Sequence, residues 1–216
     1  MEGTSTRQRV LDAALELFSR RGYEAVSMAD IAGALGIKAP SLYKYFKSKE
    51  ELYAALIPPL EAHYTALWEA TARRQEQLER DLSGMLSVER LEQEALAWLQ
   101  AEMTDPQARA FRRFLTLGQF QSPTPATHWL WLQPLTLYEG FFSRLVSREV
   151  LRRGDPHLMA LEYLAPLLQL LTLGDRVPDQ QGAYLDEARG HIRQFHRIFA
   201  HREPRPQSGV SRLFRR

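Results

Sequence analysis

The chain is 216 residues long, 44% hydrophobic and 25% charged, with a formal net charge of +2 at pH 7 and no cysteine. That length and apolar content suit a small head plus one larger packed domain, and they exclude disordered and fibrous classes. With no cysteine there is no disulfide framework, thiol nucleophile or Cys-ligated metal site; with no signal-peptide-like opening and no apolar run of about eighteen residues, a soluble, cytoplasmic protein with no membrane partner is expected.

Taken in chain order, Thr4-Ser5-Thr6 offers helix-capping hydroxyls ahead of a stripe at Val10, Ala14, Leu17 and Phe18, and Gly22 stops it, which predicts a first helix over about 5–21. Ser27 followed by Asp30 reads as a capping box opening a short helix that ends at Gly36. Pro40 sits where a first helical turn tolerates a missing N–H, so Ser41 to Phe46 is expected to form a short third helix. Two short helices joined by a glycine turn are a helix-turn-helix.

The four lysines of the chain, Lys38, Lys44, Lys47 and Lys49, all fall within this stretch, interleaved with Tyr43, Tyr45 and Ser41, while the other basic residues are arginines spread along the sequence. Residues 1–50 carry only a small positive excess, so the position of the charge has to do more than its total. Cations, tyrosines and hydroxyls on a short helix after a glycine turn are what lying against phosphates and base edges requires.

Ser48 with Glu51 forms a second capping box and opens a long helix bearing Leu52, Leu56, Leu60, Tyr64 and Trp68. Pro58 and Pro59 within it predict a kink or a break into two helices. Further helices are expected over about 88–104, 107–121, 127–153, 157–173 and 183–200, two of them started by Asp105-Pro106 and Asp155-Pro156. No strand-like alternation stands out. The fold class is therefore all-α: a three-helix head (1–47), a helical body (48–202) entered by a long helix, and a basic tail (203–216). The tail reads either as a solvated terminus or as an auxiliary DNA or partner contact.

Gly22-Tyr23, Ser27-Met28, Asp30-Ile31-Ala32, Gly36-Ile37, Ser41-Leu42-Tyr43, Tyr45-Phe46 and Ser48-Lys49-Glu50-Glu51-Leu52 together resemble the N-terminal signature of TetR-family transcriptional regulators, over about residues 8–55. The resemblance implies a homodimer that sets the third helix of each head into a major groove of a palindromic double-stranded DNA operator. It also implies a body that holds a small-molecule effector and the dimer interface. Carried over by position, it implies DNA contacts from Lys38, Ala39, Ser41 and Tyr43, a phosphate contact from Lys49 at a helix N-terminus, and another from Ser27. Lys44 joins the set from the residues alone. Tyr45 stands where the family often has histidine, and its role stays open between backbone contact and packing; Pro40 stands where it often has glycine.

In the body, Trp98, Phe111, Phe114, Trp129, Trp131, Tyr138 and Phe142 are candidates for an effector pocket, against the plainer expectation that aromatics at helical spacing pack as core. They favour an apolar or aromatic effector, with an acyl-coenzyme A among the candidates. Arg109, Arg112 and Arg113 read either as solvated or as partners for a carboxylate or phosphate. Leu161, Leu164, Leu168, Leu171, Ile192, Phe195 and Phe199 lie on the two helices the resemblance assigns to dimerisation, and the first of these helices is more densely apolar than one core face needs.

Hydrolase, P-loop, dinucleotide-binding and zinc-protease motifs are absent, and His191 and His196, five apart, do not share a helix face. No catalytic residue, cofactor or metal is expected. The expected function is thus a repressor released from its operator by effector; the alternative is an architectural or division-site DNA-binding protein without one.

Overall fold

The computed structural model describes residues 5–82, 86–118 and 132–200; the tail, Trp129 and Trp131 lie outside them. Among the described residues the elements are α-helices and one short 3-10 turn, with a single isolated antiparallel bridge between Leu151 and Ala200.

The head follows its local signals closely. In α1 (Thr6–Arg21) the Ser5 side chain accepts from the Gln8 N–H at 3.2 Å, and Val10, Leu11, Ala14 and Phe18 are buried. The helix ends at Gly22, whose φ of +78° is open to glycine and strained for other residues. In α2 (Met28–Ala34) Ser27 and Asp30 close the capping box in both directions. Gly36, φ +67°, makes the turn into α3 (Ala39–Leu42). That third helix is shorter than its expected span: beyond Leu42 the chain tightens, the N–H groups of Tyr45 and Phe46 both reaching the Leu42 carbonyl at 2.9 and 3.2 Å.

The long α4 (Lys49–Asp81) runs as one helix of 33 residues through Pro58 and Pro59, about 50 Å in length. The expected break is absent because both prolines lie on the exposed side, where water can serve the carbonyls they release, while Leu56 and Leu60 hold the buried side. The body follows with α5 (Val88–Thr104), α6 (Pro106–Gly118), α7 (Gln133–Ser147), α8 (Pro156–Arg176) and α9 (Gln181–Phe199). The Asp105 carboxylate caps α6 by accepting from the N–H groups of Gln107 and Ala108.

α7 stops at Ser147, short of the expected 153. Glu149 turns the chain with φ of +58°, and Val150 and Leu151 continue the apolar pattern because they are buried against the end of α9, not because they are helical. α8 is long and apolar enough by composition to cross a bilayer, and it packs against α5, α7 and α9. α1 rests on α6, so the buried apolar residues form one cluster from Val10 in the head to Phe195 in the body.

Candidate nucleic-acid interface and effector cavity

Burial divides the third helix and its turn into two sides. Leu42 and Phe46 are inside, 0% and 1% exposed, and pack the head's core. Lys38, Tyr43, Lys44, Tyr45 and Lys47 are exposed, and Ala39 and Ser41 are half-buried beside them. At 49% and 39% exposure, Tyr43 and Tyr45 are large rings left uncovered in a field of lysines, as a surface facing phosphates and bases would be. Arg7, which the sequence did not single out, stands over the Phe46 ring at 4.9 Å and adds a cation near this edge.

Ser27 and Lys49 are more constrained than expected. The Ser27 hydroxyl is occupied with Asp30, accepting from its N–H at 3.1 Å and donating to its carboxylate. Those bonds hold the Asp30 carboxyl below its ordinary range, the Ser27 side chain contributing most. Lys49 folds back: its Nζ donates to the Tyr23 carbonyl at 2.8 Å and lies 4.0 Å from the Tyr23 ring centroid. An ammonium has three donors, so two remain for another partner. Tyr23 donates its own hydroxyl to Glu50 at 2.9 Å, and burial first, then Glu50, pushes its pKa up to about 12.

Behind Lys49 a row of rings crosses from head to body. Tyr23 meets Tyr53 of α4 at 4.8 Å, and Tyr53 meets Phe114 of α6 at 4.6 Å. Gly118, one turn further along α6, lies so close to Tyr53 that an added Cβ would stand 2.9 Å from its hydroxyl.

The face of α6 beside this row walls a cavity of about 740 Å³ between the head and the body. Its floor is Tyr64, Arg112, Leu171 and Asp175, all buried; its rim includes Arg20 of α1, Thr116 and Leu117 of α6, and Gln169, Thr172 and Arg176 of α8. Arg112, one of the three arginines read as solvated or ligand-facing, is in fact an internal strut. It grips Asp175 with Nε and Nη2 at 2.9 and 2.8 Å and donates to Glu102 with Nη1 at 2.6 Å, tying α5, α6 and α8 together. Burial opposes its charge, and the bonds and charges of Asp175 and Glu102 more than offset that, so the guanidinium stays charged. On Glu102 the balance goes the other way: burial pushes its carboxyl up despite Arg112. Arg109 approaches Asp175 at 3.5 Å, and Arg113 donates to the Asp175 backbone carbonyl at 2.8 Å.

The described aromatic candidates for the pocket do not line this cavity. Trp98, Phe111, Phe114, Tyr138 and Phe142 are at most 2% exposed and pack on one another and on Tyr53, Tyr64, Trp68 and Tyr163. Helical periodicity identifies a buried ring but not whether the space beside it is filled; Tyr64, which does line the cavity, carries the same pattern on α4. Within that packed region Trp68 Nε1, Trp98 Nε1 and the Tyr163 hydroxyl have no hydrogen-bond partner among the described residues.

The candidate interface residues also divide. Leu164, Leu171, Ile192 and Phe195 are at most 3% exposed and belong to the subunit's own core, whereas Leu161 is 36% exposed and Leu168 and Phe199 are half-buried. Leu158, Leu161, Ala165, Gln169 and Thr172 form the uncovered stripe of α8. His191 and His196 are taken up by the carbonyls of Tyr163 and Leu86.

A three-helix head whose third helix is flanked by exposed lysines, carried on a helical body, defines the chain as a helix-turn-helix protein. Residues 10–56 match the model for bacterial regulatory proteins of the tetR family. The chain is 44% identical over 64 residues to the transcriptional repressor ComR of Escherichia coli K12, and 40% identical over 55 residues to the transcriptional regulator AcrR of Shigella flexneri. These matches span 30% and 26% of this chain and the same shares of ComR and AcrR. SmeT, the repressor of the Stenotrophomonas maltophilia multidrug efflux pump SmeDEF, shares the fold: 19% identity, TM-score 0.62, 92% of each chain covered. Residues 10–56 thus carry a tetR-family DNA-binding head, and the chain as a whole shares its fold with SmeT.

Proposed function

We propose that this chain is a cytoplasmic, homodimeric, ligand-responsive regulator, a repressor that a small effector releases from a palindromic operator. The single observation that carries this is the placement of the 740 Å³ cavity, walled at once by α1 of the head and by α6 and α8 of the body. A molecule seated there touches Ser19 and Arg20 on α1, which packs on α2, the helix that in turn supports α3. ComR and SmeT, both named as repressors, favour this mode.

The work divides by element. Lys38, Ser41, Tyr43, Lys44 and Tyr45 meet the groove and its phosphates, with Lys47 and Arg7 at the margins. Lys49 adds a phosphate contact with the donors that Tyr23 leaves free. The first part of the uncovered stripe of α8, Leu158, Leu161 and Ala165, with the exposed side of α9, joins two subunits and sets the separation of the heads. Two half-sites lie about 34 Å apart, so a change of head separation costs DNA affinity. An effector that wedges α6 away from α1 acts on Phe114, Tyr53 and Tyr23 in turn, and so on Lys49. Such coupling is typically about 1–3 kcal/mol and is felt equally by effector and DNA.

Selection of random duplexes by the purified protein tests this. The expected result is an enriched palindrome with half-sites one helical turn apart. Salt-sensitive binding with nothing enriched would instead mean that the head reads only the DNA backbone, as an architectural protein does.

A further inference from the structure

We infer that the cavity between head and body is a site for an amphipathic organic acid, whose carboxylate is held by Arg113 and Arg176; this rests on the effector reading above and names the ligand's class. The charges around the site do not balance. Asp175 is committed to Arg112 through two hydrogen bonds and to Arg109 at 3.5 Å, and Glu102 is committed to Arg112. Arg20 has Glu16 at 3.3 Å. Among the described residues Arg113 has no ion pair and donates to the Asp175 carbonyl at 2.8 Å, and Arg176, the next residue after Asp175, has no ion pair either. Both residues line the same cavity, so their charge is open to an anion seated there.

The rest of the lining fits the other end of such a molecule. Tyr64, Leu168 and Leu171 give an apolar wall, and 740 Å³ falls within the roughly 300–1,000 Å³ of small-molecule sites. An arginine fork presents parallel N–H donors to a carboxylate, which a neutral hydroxyl cannot match in charge. Arg113 acting only as a cap for the α8 carbonyl would move stability and leave the affinity for acids alone.

The experiment compares decanoate with decan-1-ol by calorimetry on the full chain, wild type and Arg113→Gln/Arg176→Gln. The expected result is that wild type binds the acid better than the alcohol, and that the double variant loses about tenfold or more of its affinity for the acid while its affinity for the alcohol holds. Arg176→Gln alone, at an exposed position, gives part of that loss without risk to the fold, and Arg113→Lys restores part of it. No binding of decanoate, an alcohol bound as tightly as the acid, or variants that bind the acid like wild type would overturn the assignment. Fluorescence anisotropy on the selected duplex is read in parallel. Decanoate that binds through the two arginines and leaves duplex affinity unchanged would remove the effector role and leave the anion site standing.

Discussion

The head and the body hold their charge in opposite ways. On the head, Lys38, Lys44 and Lys47 are exposed and, among the described residues, their ammonium groups have no ion pair, so their charge is available to a partner outside the chain. In the body, Arg112 is buried and its donors are consumed by Glu102 and Asp175. One arrangement is for recognition and the other for cohesion. The difference teaches that a basic residue's role is set by which carboxylates the fold brings to it.

Substitutions should keep the two regions apart. The largest effect is expected from Arg112→Ala, which leaves Asp175 and Glu102 buried without their cation and should cost about 3–5 kcal/mol of stability in urea unfolding. A loss below about 1 kcal/mol would mean the strut is not structural. Tyr43→Ala is the reverse test: duplex affinity should fall by about 1–3 kcal/mol, with the melting temperature kept, because the ring is 49% exposed. A melting temperature lowered in step with affinity would make Tyr43 a packing residue.

A smaller effect is expected from Lys49→Ala, which should weaken all duplexes alike and flatten the dependence of log affinity on log salt by about one for each phosphate the subunit no longer neutralises. An unchanged slope would show that Lys49 serves only Tyr23. The pH dependence of the body follows from Glu102, whose carboxyl burial pushes up. Its folded pKa lies above the unfolded value, so the native state holds a proton that the unfolded chain releases. The stability it gives is present in full below the ordinary value of 4.5 and is lost as pH rises through the raised one. Glu102→Gln should therefore gain on wild type as pH increases above 4.5, in melts taken side by side; parallel curves would reject the shift. The smallest effect is expected for Tyr163→Phe. Removing a buried hydroxyl without a partner should be neutral or stabilising within about 1 kcal/mol, and a larger loss would reveal a hidden hydrogen bond.

The head was legible in the sequence because its structure is made of local signals. Ser5, Ser27 with Asp30, and Ser48 cap helices by accepting from N–H groups three residues ahead, and Gly22 and Gly36 take the positive φ that ends them. The exposed lysines and tyrosines then follow from Leu42 and Phe46 being the buried positions between them. The body was legible as a set of helices but not as a site. The cavity is made by α1, α4, α6 and α8 converging from residues 19 to 176, and no window of sequence contains that. Arg112 looked like its neighbours Arg109 and Arg113, since only folding brings Asp175 to it from 63 residues away. Pro58 and Pro59 signalled an interruption, and the penalty was absorbed because both face outward. The end of α7 was hidden because Val150 and Leu151 are buried for a reason unrelated to helical period.

The central claim is that what fills the cavity decides how the heads hold DNA. The most direct measurement is the affinity of Thr116→Trp for the selected operator, since Thr116 is an exposed rim residue on α6 and an indole there occupies the space from within the chain. With melting temperature and oligomeric mass unchanged, operator affinity should fall about 5- to 150-fold, the range of ordinary allosteric coupling. A folded Thr116→Trp protein of unchanged oligomeric mass that binds the operator as wild type does would contradict the account.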